Sequence, residues 1–147
     1  MSPLLNYTTT VPVCRTVGAI HELLAKAGAT QIMTTYGPGG RPTGVSFAIA
    51  TSRGPRGFAL PVRVEPVHAV MRRDRATPPR YKTPEQAERV AWRIAKDWLE
   101  AQLAIVATEM VSLEQVMLPY MHVDGRTLYE LFVADELPTL GPGLAES

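Results

Sequence analysis

The chain has 147 residues, of which 46% are hydrophobic and 20% charged, and its formal net charge is only +1. These values are typical of one folded domain and exclude a disordered or fibrous chain. The single cysteine, Cys14, excludes an internal disulfide, and we interpret it as a small apolar residue because no motif pairs it with a His or Asn. No apolar run approaches the ~20 residues of a membrane span, and residues 1–10 lack a secretory signal. We therefore expect a cytoplasmic protein with no membrane partner.

The start of the chain predicts a strand followed by a helix. Residues 7–13, YTTTVPV, are rich in β-branched side chains and predict an edge strand, because Pro12 cannot donate to a ladder. Residues 15–27 carry apolar side chains at helical spacing. We expect Thr16 to cap this helix and Gly28 to end it.

Three strands are expected next, over residues 30–36, 43–51 and 58–64. The segments that separate them, GPGGRP and SRGPRG, have turn compositions, and their shortness favours antiparallel pairing. Neither glycine-rich segment matches a P-loop or a dinucleotide-binding fingerprint, so we interpret both as turns.

The longest predicted helix follows a proline-containing loop. Residues 66–73 predict a short helix, and residues 74–82 predict the loop. Thr83 to Gln86 match a T-x-x-Q capping box with a proline at the first helical position, so the long helix begins at residue 84 and runs to about residue 109. Its apolar stripe is so wide that the helix is either central or also packs on a partner.

The remainder predicts a short helix over residues 113–120, capped by Ser112, and a turn at Asp124-Gly125. Residues 127–133 suit a helix or a strand. We expect a single domain over residues 1–136 and a mobile tail over residues 137–147. The predicted order is β-α-β-β-β-α-α-α, an α+β fold whose three- to four-stranded, mainly antiparallel sheet is packed by the helix of about 84–109.

The central α-β-β-β-α order is similar to that of double-stranded RNA-binding domains, and loosely to the core of recombination annealing proteins. The lysine-rich start of the last helix that marks the RNA-binding family is missing here, and order alone carries no function. The segment RVAWRIAKDWLEAQLAIV, with YTTTVPV, VMLPY and GRTLYE, resembles a family of small uncharacterised proteins of phages and bacterial mobile regions. This resemblance implies a prokaryotic or viral source and carries no site residue.

The charges are divided along the chain. Residues 1–96 contain fourteen Lys or Arg against five Asp or Glu, a net +9, whereas residues 97–147 contain one against nine, a net −8. Such asymmetry indicates a basic surface that attracts polyanions. The alternative is that the acidic half folds back on the basic half, or meets it in a second copy of the chain.

The basic residues concentrate in one loop and on the helix after it. Five cations fall within eleven residues and are opposed only by Asp74, and an arginine fork binds phosphate bidentately. A tyrosine among them would stack on a base. The alternative is a solvated loop whose charges pair with Glu85, Glu88 and the acidic half. The predicted nucleic-acid-binding residues are Arg72, Arg73, Arg75, Arg80, Tyr81 and Lys82 in the loop, with Arg89, Arg93 and Lys96 as a helical stripe.

Other chemistry has little support in the sequence. His21, His68 and His122 show no zinc-pair spacing, and there is no C-x-x-C or EF-hand pattern. Asp97 and Glu100 each have a cation four residues earlier, which we interpret as surface ion pairs. We expect no metal, no cofactor and no catalytic residue.

The leading hypothesis is therefore a non-enzymatic nucleic-acid-binding protein of a phage or mobile element. One alternative is an oligomer whose converging basic loops bind a nucleotide or another small phosphorylated ligand. Another is a protein–protein assembly module that uses the acidic half and the wide apolar helix.

Overall fold

A computed structural model describes residues 4–135, so the predicted tail over residues 137–147 lies outside the described part of the chain. The fold is α+β, as expected, with a three-stranded antiparallel sheet packed by a long helix. The helices are α1 (Val13–Lys26), α2 (Val64–Arg73), α3 (Pro84–Ala107), α4 (Leu113–Met117) and α5 (Leu128–Val133). The strands are β1 (Gln31–Tyr36), β2 (Pro42–Thr51), β3 (Gly54–Ala59), β4 (His122–Val123) and β5 (Arg126–Thr127).

The three-stranded sheet has the order β1-β2-β3, with β2 in the centre. Phe47 of β2 lies opposite Ile32 on one side and Phe58 on the other, so these side chains share the inner face. The rings of Phe47 and Phe58 stack with their centroids 5.3 Å apart. This apolar face packs against the helices, because the alternation of β2 places its large side chains on that side alone.

Helix α3 is central to the fold. Trp92 and Leu99 are fully buried in the core that α3 shares with α1 and the sheet. Val90 and Ala87 are buried in a second cluster with Met71 of α2. The wide apolar stripe of α3 is thus covered from two sides within the chain, so α3 is central, which is one of the two placements that the sequence left open.

The prediction of a strand over residues 7–13 is wrong. Residues 5–8 form a turn, and α1 begins at Val13 with Pro12 as its N-cap residue, so the predicted cap Thr16 is buried inside the helix. The backbone of this segment finds partners on α3 instead of on a strand, since Gln86 donates to the carbonyls of Tyr7 and Thr9. The composition of residues 7–13 favours a strand, but two of their carbonyls accept hydrogen bonds from the Gln86 side chain, which is distant in sequence.

The third strand also lies earlier than predicted. β3 runs over Gly54–Ala59 rather than residues 58–64, because a tight turn at Ser52 and Arg53 pairs Thr51 with Gly54. Beyond the strand, Pro61 has no N–H to donate to a ladder, and α2 begins at Val64.

The other local signals are confirmed. Gly28 ends α1 in the left-handed region at φ +98°. Thr83 caps α3 by accepting from the Gln86 backbone N–H, and Ser112 caps α4 through a complete capping box. Residues 128–133, which the sequence left open, are helical because Thr127 and Glu130 form a second complete capping box.

Candidate nucleic-acid interface

The predicted loop joins the end of α2 to the start of α3, and it is held in place by its own polar groups. Asp74 accepts from the Ala76 N–H at 3.0 Å and from the buried Thr77 hydroxyl at 2.9 Å. The imidazole Nε2 of His68 hydrogen-bonds the Lys82 carbonyl at 3.0 Å. The only acidic side chain of the loop is therefore used to shape it.

Four arginines at the end of α2 and in this loop are exposed. Arg72 and Arg73 are the last residues of α2, whereas Arg75 and Arg80 lie in the loop itself. Among residues 4–135, no carboxylate lies within 4.0 Å of these four side chains. Lys82 differs from them, because it is half-buried and its Nζ donates to the Arg72 carbonyl at 3.4 Å. It fastens the loop to α2.

Three of the carboxylates that might have neutralised this cluster have partners elsewhere. Glu88 pairs with Arg41 of the turn before β2, at 3.6 Å. Glu114 of the acidic half accepts from the backbone and the hydroxyl of Ser52. Glu130 accepts from the Thr127 backbone N–H. Within the described ranges, the acidic half therefore does not fold back onto the four exposed arginines.

Tyr81 is already engaged by its neighbours. Its ring meets the Tyr7 ring edge-to-face at 5.4 Å, and the guanidinium carbon of Arg80 lies 4.8 Å from its centroid. The side chain also packs against the cluster that Met71 forms between α2 and α3. Tyr81 is thus half-buried and packs on its neighbours, and its stacking on a base stays a prediction.

The three cations of the α3 stripe differ in their partners. Arg89 Nε donates to Gln86 Oε1 at 2.9 Å, and Arg93 is half-buried with no carboxylate within 4.0 Å in the described part of the chain. Lys96 pairs with Glu100 and lies 3.8 Å from Asp97, and Asp97 in turn accepts from Asn6. The positive character of the stripe therefore ends at Arg93.

Gln86 is the residue whose role was missed from the sequence. The capping-box pattern predicted that its side chain would reach back to Thr83, but the amide instead donates to Tyr7 and Thr9 at 2.8 and 2.9 Å. Of the two capping-box hydrogen bonds, only the one from the Gln86 backbone N–H to the Thr83 hydroxyl forms, at 3.1 Å. No local signal distinguishes these two uses of a glutamine at this position.

Other kinds of site have less geometric support. Between residues 4 and 135, no three His, Cys, Asp or Glu side chains gather as a metal site would require. His21, for example, shares a hydrogen bond with the Thr34 hydroxyl at 2.7 Å. None of the described helices combines the length and apolar character needed to cross a bilayer.

Comparison with protein-family models, with curated proteins and with solved structures found no match to this chain.

Proposed function

We propose that the chain is a non-enzymatic nucleic-acid-binding protein, of the phage or mobile-element origin that its resemblance implies. Its primary contacts are the four arginines 72, 73, 75 and 80, which grip phosphate groups. The observation that supports this is their exposure without any carboxylate partner in the described part of the chain. Arg89 and Arg93 extend the surface along α3.

Phosphate binding suits this arrangement physically. An arginine that is already exposed and unpaired has no ion pair to break when it meets a phosphate, and each neutralised phosphate releases condensed counterions. The loop that carries the arginines is held by Asp74, His68 and Lys82, so little order has to be imposed on binding. Affinity should therefore be high at low salt and fall steeply as salt is added.

The contacts should be made to the backbone rather than to bases. Tyr81 is half-buried and contacts Tyr7 and Arg80, and no other aromatic residue lies in the loop. Phosphate contacts position a protein on nucleic acid without reading its sequence. We therefore propose binding without sequence preference.

The direct test is fluorescence anisotropy of labelled single-stranded and duplex DNA and RNA over a range of salt concentrations. A triple variant, Arg72→Gln with Arg73→Gln and Arg75→Gln, should lose about 10-fold or more in affinity and reduce the salt slope by about 2 to 3. The strand type that binds most tightly identifies the role.

A matched control separates this surface from net charge. Arg15 on α1, Arg53 at the β2–β3 turn and Arg56 on β3 are exposed, so their triple change to Gln removes the same charge elsewhere. We expect the control to bind within about 3-fold of the unaltered chain. Equal losses in both triple variants, or no binding at low salt, would contradict the proposal.

A second candidate function, an assembly module, is favoured by α5. This helix exposes Tyr129, Phe132 and Val133 by 59%, 66% and 64%. Large exposed apolar patches often mark protein interfaces. Light scattering after size exclusion tests it: an assembly through α5 would persist in high salt and be lost on Phe132→Ser, whereas one formed by basic and acidic halves would dissociate as salt rises.

A further inference from the structure

Strand β1 forms one edge of the three-stranded sheet, and its outer side is open. The strand order is β1-β2-β3, so among residues 4–135 β1 pairs with β2 alone. The N–H and C=O groups of β1 that face away from β2 therefore have no backbone partner in the described part of the chain. An unpaired strand edge is a template on which another strand can add.

The outward backbone groups belong to the residues on either side of Met33. The Leu60 N–H, just beyond β3, donates to the Val45 carbonyl at 2.9 Å, so the backbone of Val45 in β2 faces β3. Backbone groups alternate sides along a strand, so Ser46 faces β1, where its partner is Met33. Met33 thus directs its N–H and C=O groups to β2, and the residues before and after it direct theirs outward.

The two edges of the sheet differ in how they are protected. β3 contains Pro55 and the charged Arg56, and its Phe58 forms an isolated bridge to Met121. β1, QIMTTY, contains no charge and no proline, and the irregularity in its pairing lies at its end, after Thr35. Folded proteins normally protect an exposed edge with charges, prolines or bulges. The unprotected state of residues 31–35 favours a strand partner for β1.

We propose that β1 pairs with β1 of a second copy of the chain, antiparallel about a two-fold axis at Met33. Ile32 of each copy lies opposite Thr34 of the other, and such a pair exchanges two backbone hydrogen bonds. Met33, whose side chain is 58% exposed in the single chain, lies opposite Met33 of the second copy. The result is a continuous sheet that contains the three strands of each copy.

A second copy suits this edge better than a different strand does. A two-fold axis presents the same unpaired groups from both sides, so the partner is complementary by symmetry. Because β1 has no charged residue, the pairing brings no like charges together. The inference depends neither on the proposed nucleic-acid binding nor on assembly through α5.

Sedimentation equilibrium tests the association. One short strand is a small interface, so we expect a monomer–dimer equilibrium with a dissociation constant on the order of 10–100 µM. Met33→Lys should weaken it about 10-fold or more, because two ammonium groups would meet at the axis. Met110→Lys, the same change at an exposed methionine beyond α3, should leave it unchanged, and so should Phe132→Ser on α5.

Disulfide cross-linking tests the register. In a Cys14→Ser background, Met33→Cys places two cysteines opposite each other, with Cα atoms about 4.5 Å apart, which a disulfide can bridge. Gln31→Cys, exposed on the same strand, places its two cysteines about 14 Å apart along the paired strands, beyond disulfide reach. We expect dimers of Met33→Cys to form at least about 10-fold faster under mild oxidation.

Three results would overturn the proposal. The first is a chain that stays monomeric at concentrations well above the expected dissociation constant. The second is an association that Met33→Lys weakens no more than Met110→Lys, or that Phe132→Ser abolishes, because the contact would then lie elsewhere. The third is equal cross-linking of the two cysteine variants.

Discussion

The side-chain amide of Gln86 donates a hydrogen bond to the backbone carbonyl of Tyr7, 2.8 Å away and 79 residues earlier in the chain. The same amide also donates to the Thr9 carbonyl, and its oxygen accepts from Arg89. Tyr7 in turn contacts Tyr81 in the basic loop. The N-terminal segment thus links the basic loop, through Tyr81, to the first turn of α3.

Replacing Gln86 with Ala should destabilise the fold by about 1–3 kcal/mol, because two carbonyls lose their donor. The measurement is the free energy of unfolding in urea. Gln102→Ala is the control, since Gln102 lies half-buried on the same helix and its side chain makes no hydrogen bond in the described structure, and its change should stay within about 0.5 kcal/mol. Similar losses for both variants would show that the link to Tyr7 contributes nothing.

Two glycines should respond to alanine with opposite signs. Gly28 has φ +98° and open space around an added Cβ, so Gly28→Ala should cost about 1–2 kcal/mol through backbone strain alone. Gly18 is exposed within α1 with equal space, so Gly18→Ala should stabilise the fold by about 0.5–1 kcal/mol. Thermal unfolding of both variants checks the sign, and a stabilising Gly28→Ala would contradict the assigned end of α1.

Tyr81→Leu separates phosphate binding from base stacking. We expect the fold to lose about 1–2 kcal/mol, because the contacts with Tyr7 and the cluster beneath are reduced. Binding to single-stranded DNA, measured where the variant is folded, should change by less than about 3-fold with the same salt slope. A base stacked on Tyr81 would instead make the loss about 5-fold or more, and that result would support the stacking role predicted from the sequence.

Arg93 and Lys96 should differ although they belong to one predicted stripe. Arg93→Gln should weaken nucleic-acid binding and lower the salt slope by about 1, because a phosphate contact is lost. Lys96→Gln should leave the slope unchanged, because Lys96 is already paired with Glu100 and Asp97. Anisotropy titrations at several salt concentrations distinguish the two. The reverse order of effects would place the positive surface farther along α3 than its ion pairs allow.

Much of the fold was predictable because its signals are local. Pro84 with the Thr83 cap marked the start of α3, and the alternation of residues 43–51 marked the central strand. The strand predicted at residues 7–13 failed because the partner of its backbone, Gln86, is remote in sequence. The shift of β3 has a similar cause, since pairing with β2 decided where that strand begins.

In the candidate site, too, some features were predictable from the sequence and others depend on tertiary contacts. The sequence alone shows the arginines between residues 72 and 80 and the division of charge between the two halves of the chain. Whether an arginine is paired, however, depends on which carboxylates the fold brings near it. The sequence predicted an ion pair with the residue four positions later for both Arg93 and Lys96, and within the described residues the structure shows only the pair of Lys96 with Glu100.

By itself, the amino-acid sequence determined the α+β class, the long central helix and the basic loop, because caps, periodicity and charge density act over a few neighbouring residues. The tertiary structure alone decided the course of the N-terminal segment, the contact of Tyr81 with Tyr7 and the complete burial of the Trp92 side chain. These features depend on contacts between residues far apart in the chain. Their free energies become favourable only when the whole core has assembled.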